Sequence, residues 1–131
     1  MISLKATLEA ITKALSVDYI VEQGTSGIWT YRKWNSGISE CWGTQTMTMA
    51  LTGGWGGLVD GYGVKGGLQY PDGLFVENPA FFLGTNSSGG GFSFEQWGDG
   101  SATKTPNIAG TRPFVSTFTA TICLRAIGRW K

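Results

Sequence analysis

The sequence predicts a mainly β protein: an N-terminal coiled-coil helix followed by an antiparallel β-sandwich or barrel head. Three observations carry this. Apolar residues recur at heptad spacing only in residues 2–16, and from Asp18 onward the apolar period falls to two. The composition, 21 glycines and 13% aromatic against 15% charged residues, suits short strands joined by tight turns. A chain of 131 residues holds one compact domain rather than two.

In the helical stretch, Met1, Leu4, Leu8, Ile11 and Leu15 form the a/d seam of two heptads, without Gly or Pro. Leu8 and Leu15 at a, with Leu4 and Ile11 at d, favour three or four strands over two. A helix this short is marginal alone in water, so the stripe must bury against the chain's own domain or against equivalent helices. Two heptads do not associate unaided, so an oligomer also needs contacts in the rest of the chain.

Residues 18–22 read as short and extended. Residues 28–34 and 38–42 are aromatic and β-branched runs around Asn35-Ser36-Gly37, a hairpin signature. Gln45, Met47, Met49 and Leu51 then fall on one face, with Thr44, Thr46, Thr48 and Ala50 on the other, as in a half-buried strand. Residues 52–67 hold eight glycines in sixteen positions, which predicts a long loop with at most one irregular strand. Pro71-Asp72-Gly73 is a turn. Strand-like pieces follow at residues 74–77, 80–83 and 92–97, separated by Asn78-Pro79 and by the run from Asn86 to Gly91. Gly98-Asp99-Gly100 closes the third. Residues 114–127 alternate with both faces largely uncharged, predicting a central strand covered on both sides.

Composition excludes several chemistries. Histidine is absent, which removes Ser-His-Asp triads, Cys-His pairs and His-ligated zinc. A net charge of +1 without basic clusters is no footprint of nucleic-acid binding. No apolar run is long enough for a membrane-spanning helix, and the start lacks a secretory pattern. Cys41 and Cys123 read as free, buried residues rather than a bridge, and leave the compartment open.

Several motifs lack the context that their usual functions need. Gly61-Tyr62-Gly63-Val64-Lys65-Gly66 spells a dinucleotide fingerprint, but no helix opens at Gly67-Leu68-Gln69-Tyr70-Pro71. Gly53-Gly54-Trp55-Gly56-Gly57 lacks the Asp of a calcium-binding glycine repeat, since Leu58 stands there. Asp60, Asp72 and Asp99 each precede glycine, as turn residues do. Glu40, Glu77, Glu95 and Asp99 show no spacing that pairs two carboxylates for glycoside hydrolysis. Asn86-Ser87-Ser88 is a glycosylation sequon relevant only to a chain secreted from a eukaryote. Trp29, Tyr31, Trp34 and Trp42 lie in strands and suit core, rim or subunit interface. Trp55, Tyr62, Tyr70 and Trp97 lie in or beside glycine-rich loops. There they either pack back on glycine or offer ring faces to a sugar or another protein.

The segment Val21-Glu22-Gln23-Gly24-Thr25-Ser26-Gly27-Ile28-Trp29-Thr30-Tyr31-Arg32-Lys33-Trp34-Asn35-Ser36-Gly37-Ile38-Ser39-Glu40-Cys41-Trp42-Gly43 resembles the start of the C-terminal head domain of tail-fibre and minor structural proteins. These are encoded by phages and prophages of Gram-positive bacteria. Arg125-Ala126-Ile127-Gly128-Arg129-Trp130-Lys131 resembles the ending of such heads, and Pro79-Ala80-Phe81-Phe82 and Thr111-Arg112-Pro113 sit where counterparts are expected. Residues 52–67 lie outside the resemblance. It implies trimeric fibres, a β-rich distal head and attachment to a host surface, and supplies no catalytic residue.

Together these readings predict a stalk over residues 1–17 and a head over 18–131 in a homotrimeric phage tail fibre, acting in the virion. Leu4, Leu8, Ile11 and Leu15 would oligomerise. Trp55, Asp60, Tyr62, Tyr70 and Trp97 would contact a bacterial cell-surface polysaccharide. Other tail proteins are expected partners; nucleic acid, membrane insertion, metal, cofactor and catalysis are not. The short stalk, with no virion-attachment region, reads as a fragment of a longer fibre. A non-binding trimerisation or baseplate module and a cell-wall glycan hydrolase are the alternatives.

Overall fold

A computed structural model describes residues 3–55, 59–85 and 92–131, apart from the side chains of residues 12–16, 55 and 59. Met1 of the heptad seam, the side chain of Leu15, residues 56–58 of the glycine-rich segment and the turn residues 86–91 lie outside that description.

The helix α1 spans Leu4–Ser16. It starts two residues later than its apolar pattern because Ser3 caps it: the Ala6 amide donates to Ser3 Oγ at 3.2 Å. Its described side chains are all exposed, with Leu4, Leu8 and Ile11 at 76%, 54% and 50%.

Asp18 joins the helix to the head. Its carboxylate accepts from the Tyr19 and Ser36 amides, at 3.0 Å each, and from Ser36 Oγ at 2.6 Å. The Ser36 hydroxyl bond leads in holding the carboxyl below its usual range. A carboxyl with a depressed folded-state pKa adds stability that is present above its unfolded value of 3.8 and is lost as pH falls through the folded value. Titration of the Ser36 amide by NMR is therefore expected to show a midpoint below 3.8, abolished in Asp18→Asn. A midpoint at or above that value contradicts the clamp.

Nine strands follow among the described residues: β1 (Ile20–Ser26), β2 (Trp29–Trp34), β3 (Ile38–Leu51), β4 (Gly53–Trp55), β5 (Val59–Lys65), β6 (Ala80–Thr85), β7 (Ser93–Trp97), β8 (Asn107–Arg112) and β9 (Ser116–Arg129). They form two antiparallel sheets, β1-β2-β3-β9-β6 and β4-β5-β8-β7. Among the described residues neither sheet closes on itself, so the architecture is a sandwich and not a barrel.

The expected β2–β3 hairpin is present. Gly37 takes φ +98° at its turn, and its amide donates to the Trp34 carbonyl at 3.0 Å. The C-terminus ties down the same turn, as Trp130 Nε1 donates to the Trp34 carbonyl at 2.8 Å. β3 runs on without a break through the threonine-faced segment, pairing with β9 from Ile38↔Arg129 to Leu51↔Ser116. Met47, Met49 and Leu51 of β3 are buried with Ala120, Ile122 and Leu124 of β9. These apolar faces, with Ile108 and Phe94 from the second sheet, make the core.

Four expectations are corrected. Residues 52–67 contain two strands, β4 and β5, rather than a loop with one irregular strand. Their glycines serve close sheet packing: Gly63 pairs with Gly110 of β8. A Cβ on Gly63 would lie 2.5 Å from the Ala50 carbonyl oxygen, and one on Gly110 would lie 2.9 Å from Met49 Sδ. Residues 74–77 are not a strand, because their polar groups bond elsewhere. The Leu74 carbonyl accepts from Ser39 Oγ at 2.7 Å, and the Val76 amide donates to the Arg129 carbonyl at 2.8 Å. β8 is a strand with no counterpart in the sequence reading. Finally, β9 is central as expected but covered on one face only. Its other face, with Thr117, Thr119, Arg125 and the half-buried Cys123, is open.

Both cysteines are free, as expected, and they lie on opposite faces of one sheet. Cys41 pairs with Ala126 on the buried face and Cys123 with Thr44 on the open face. Cys41 is fully buried, and burial pushes its thiol up to about 12. Cys123 is only half-buried rather than the buried residue expected.

Candidate functional site

The sequence nominated aromatic residues near glycine-rich segments, and the fold brings two of them together. β5 and β7 flank β8 in the four-stranded sheet. Alternation puts Phe94 inward against the core, so Ser93, Glu95 and Trp97 face outward. On β5, Gly63 faces inward and Tyr62 outward, opposite Thr111.

Tyr62 and Trp97 meet edge to face, with ring centroids 5.6 Å apart and planes at 62°. Their partners on β8, Thr111 and Asn107, are four positions apart, so the rings meet by leaning toward one another over β8. The residue midway between those partners is Ala109, on the outer face yet 0% exposed. Its methyl group is small enough for two rings to close over it. Aromatic pairs prefer this offset geometry, which leaves ring surface available on the outside. Trp97 is 40% exposed and Tyr62 half-buried.

Polar groups frame the pair. Glu95, opposite Ala109, is exposed two residues before Trp97. The Ser93 and Thr111 hydroxyls hydrogen-bond to each other beside Tyr62. Asp60 is exposed two residues before Tyr62, in the stretch where the β4–β5 register shifts. Trp55 lies on β4, its backbone paired with Val59. Its side chain lies outside the described residues.

Tyr70 is placed elsewhere. It is 3% exposed, packed in the core between Trp29 (ring centroids 5.6 Å) and Phe75 (5.0 Å). Burial raises its hydroxyl pKa. The expectation of a loop-surface ring there is corrected: Tyr70 follows the glycine-rich segment in sequence, but Pro71 turns it back into the sandwich.

Ser93 and Thr111 have no place in the sequence expectations, and Glu95 figures there only as a carboxylate without a partner for hydrolysis. The alternation Phe92, Phe94 against Ser93, Glu95, Trp97 contained the signal for Glu95. Nothing in Asn107-Ile108-Ala109-Gly110-Thr111-Arg112 announced a strand, so Thr111 had no visible partner. Chemically, the arrangement offers an aromatic platform with carboxylate and hydroxyl acceptors at its edge. Among the described residues, no group of three His, Cys, Asp or Glu side chains is placed to hold a metal ion. Among them, no helix is long and apolar enough to cross a membrane. Compared with protein-family models, curated proteins and solved structures, the chain matches none.

Proposed function

We propose that the chain is the trimeric receptor-binding head of a phage tail fibre, which holds a host cell-surface glycan against the outer face of the four-stranded sheet. The likeness of residues 21–43 and 125–131 to such heads motivates the reading. The Tyr62–Trp97 pair is the observation that carries the site. Flat rings suit the C–H faces of a sugar, while Glu95, Asp60 and the Ser93–Thr111 hydroxyls suit its hydroxyl groups. The exposed Leu4, Leu8 and Ile11 stripe gives three copies a shared surface to bury. In a trimer at the virion tail tip, beside other tail proteins, three weak sites act together by avidity.

A glycan array and a pull-down of intact Gram-positive cells test this. Wild-type protein is expected to bind, and Trp97→Ala to weaken binding roughly 30-fold, the loss of an anchor worth about 2 kcal/mol. Binding that survives both Trp97→Ala and Tyr62→Ala would overturn the site. A second reading, a trimerisation module that binds nothing, is favoured by the α1 stripe alone. It predicts an assembled protein that retains neither glycan nor cells.

A further inference from the structure

The uncovered face of the five-stranded sheet carries a groove of about 880 Å³, within the range of small-molecule sites. Its shape follows from the register. One row across the sheet reads Thr30, Trp42, Arg125, Phe82, and the next reads Thr44, Cys123, Gly84. Bulky side chains stand beside small ones, which leaves a trough along the boundary.

The charges in this trough are organised by one carboxylate. Glu40, whose side chain is 12% exposed, accepts from Arg125 Nη2 at 3.0 Å and lies 4.0 Å from Arg32 Nη1. The Arg32 guanidinium also stacks over the Trp42 ring, 4.9 Å from its centroid. Two guanidiniums against one carboxylate leave the groove with one uncompensated positive charge. Each guanidinium has five N–H donors, and both side chains are well exposed, so donors remain to take a planar anion. Phe82, 54% exposed, sets an apolar face beside Arg125, and Thr30 and Thr44 line the same groove with hydroxyls.

We propose that this groove is a second ligand site, for a carboxylate-bearing saccharide such as a uronic acid unit. The carboxylate takes the Arg32 and Arg125 donors, the ring's C–H face lies on Phe82, and the threonines meet its hydroxyls. Glu40 acts as a positioning residue that holds both guanidiniums toward the trough. The site lies on the opposite outer side of the sandwich from Tyr62 and Trp97, so it goes beyond the glycan reading of that face and is tested separately.

The probes are trigalacturonate and its neutral methyl ester, followed by calorimetry and by iodoacetamide labelling of Cys123 read by mass spectrometry. Cys123 lines the groove, whereas Cys41 is buried on the other face. Trigalacturonate is expected to bind and to slow labelling of Cys123. The ester and the Arg125→Gln variant are each expected to weaken binding by roughly 10- to 100-fold, the loss of a charge-assisted hydrogen bond. Circular dichroism of Arg125→Gln checks that its fold is retained, and protection of Cys123 in the wild type needs no variant. Failure to bind, equal binding of acid and ester, or binding without protection of Cys123 overturns the proposal. If inorganic phosphate alone gives the same protection, the groove is a plain anion site and the saccharide assignment falls. If Trp97→Ala abolishes trigalacturonate binding while Arg125→Gln does not, this site is wrong and the four-stranded face is the one that binds.

Discussion

Leu51→Ala is expected to lower the unfolding free energy by about 2–5 kcal/mol, toward the upper end of that range. Leu51 is the last residue of β3, where the chain leaves the five-stranded sheet for the four-stranded one, and it is fully buried. The cost of such a truncation depends on whether neighbours collapse into the space. Here they are poorly able to. The backbone facing Leu51 is the Gly63–Gly110 pair, whose ideal Cβ positions lie 3.3 and 3.1 Å from Leu51 Cδ2. Neither glycine has a side chain to swing inward, so the void persists. Thermal unfolding should show a Tm lower by roughly 10 °C or more. The same geometry predicts a coupling. Gly110→Ala alone crowds Met49 and Leu51 and destabilises, by about 1–3 kcal/mol. In the Leu51→Ala background the contact with Leu51 is gone while those with Met49 Sδ and Phe94 remain, so the cost should fall. Simple additivity in the double-mutant cycle would show that the two sheets do not meet at this point.

Replacing Leu8 and Ile11 together by aspartate is expected to convert the proposed trimer to monomers. α1 is 13 residues long, too short to hold its conformation in water without burial. Leu4, Leu8 and Ile11 keep half or more of their surface exposed. Burial of that stripe between copies is what the proposed trimer supplies. Two aspartates would place six like charges in a seam about 20 Å long. Sedimentation velocity at micromolar concentration should show the change in mass, with a fall in helical circular dichroism. A monomeric wild type removes both stalk and trimer. A trimer that survives both aspartates moves assembly from the helix to the head.

Local chemistry was legible wherever one residue's neighbours in sequence are also its neighbours in space. The heptad spacing marked α1, Asn35-Ser36-Gly37 marked the hairpin, and the Met47, Met49, Leu51 alternation marked the buried face of β3. Tyr62 and Trp97 of the candidate site stand out in sequence for their glycine-rich surroundings, although only strand pairing brings the two rings together. Tyr70 has the same glycine-rich surroundings, yet it is buried in the core. Proximity to glycine says that a ring stands near flexible backbone, not which way the chain turns next.

What sequence alone determined was the period of α1, β2, β3 and β9, the turn between β2 and β3, and the chemistry excluded by the absence of histidine. Tertiary structure decided the rest, because strand pairing joins residues far apart in the chain. Gly63 opposite Gly110 turned a supposed loop into a closely packed strand. β8, which lacks an alternating apolar signal, became the strand over which Tyr62 and Trp97 meet. Glu40 came to hold Arg32 and Arg125 only because β2, β3 and β9 align in register. Alternation says that a residue lies on one face or the other; it does not say which face the second sheet will cover. That choice left the threonines of β3 and β9, and the groove beside them, open to solvent.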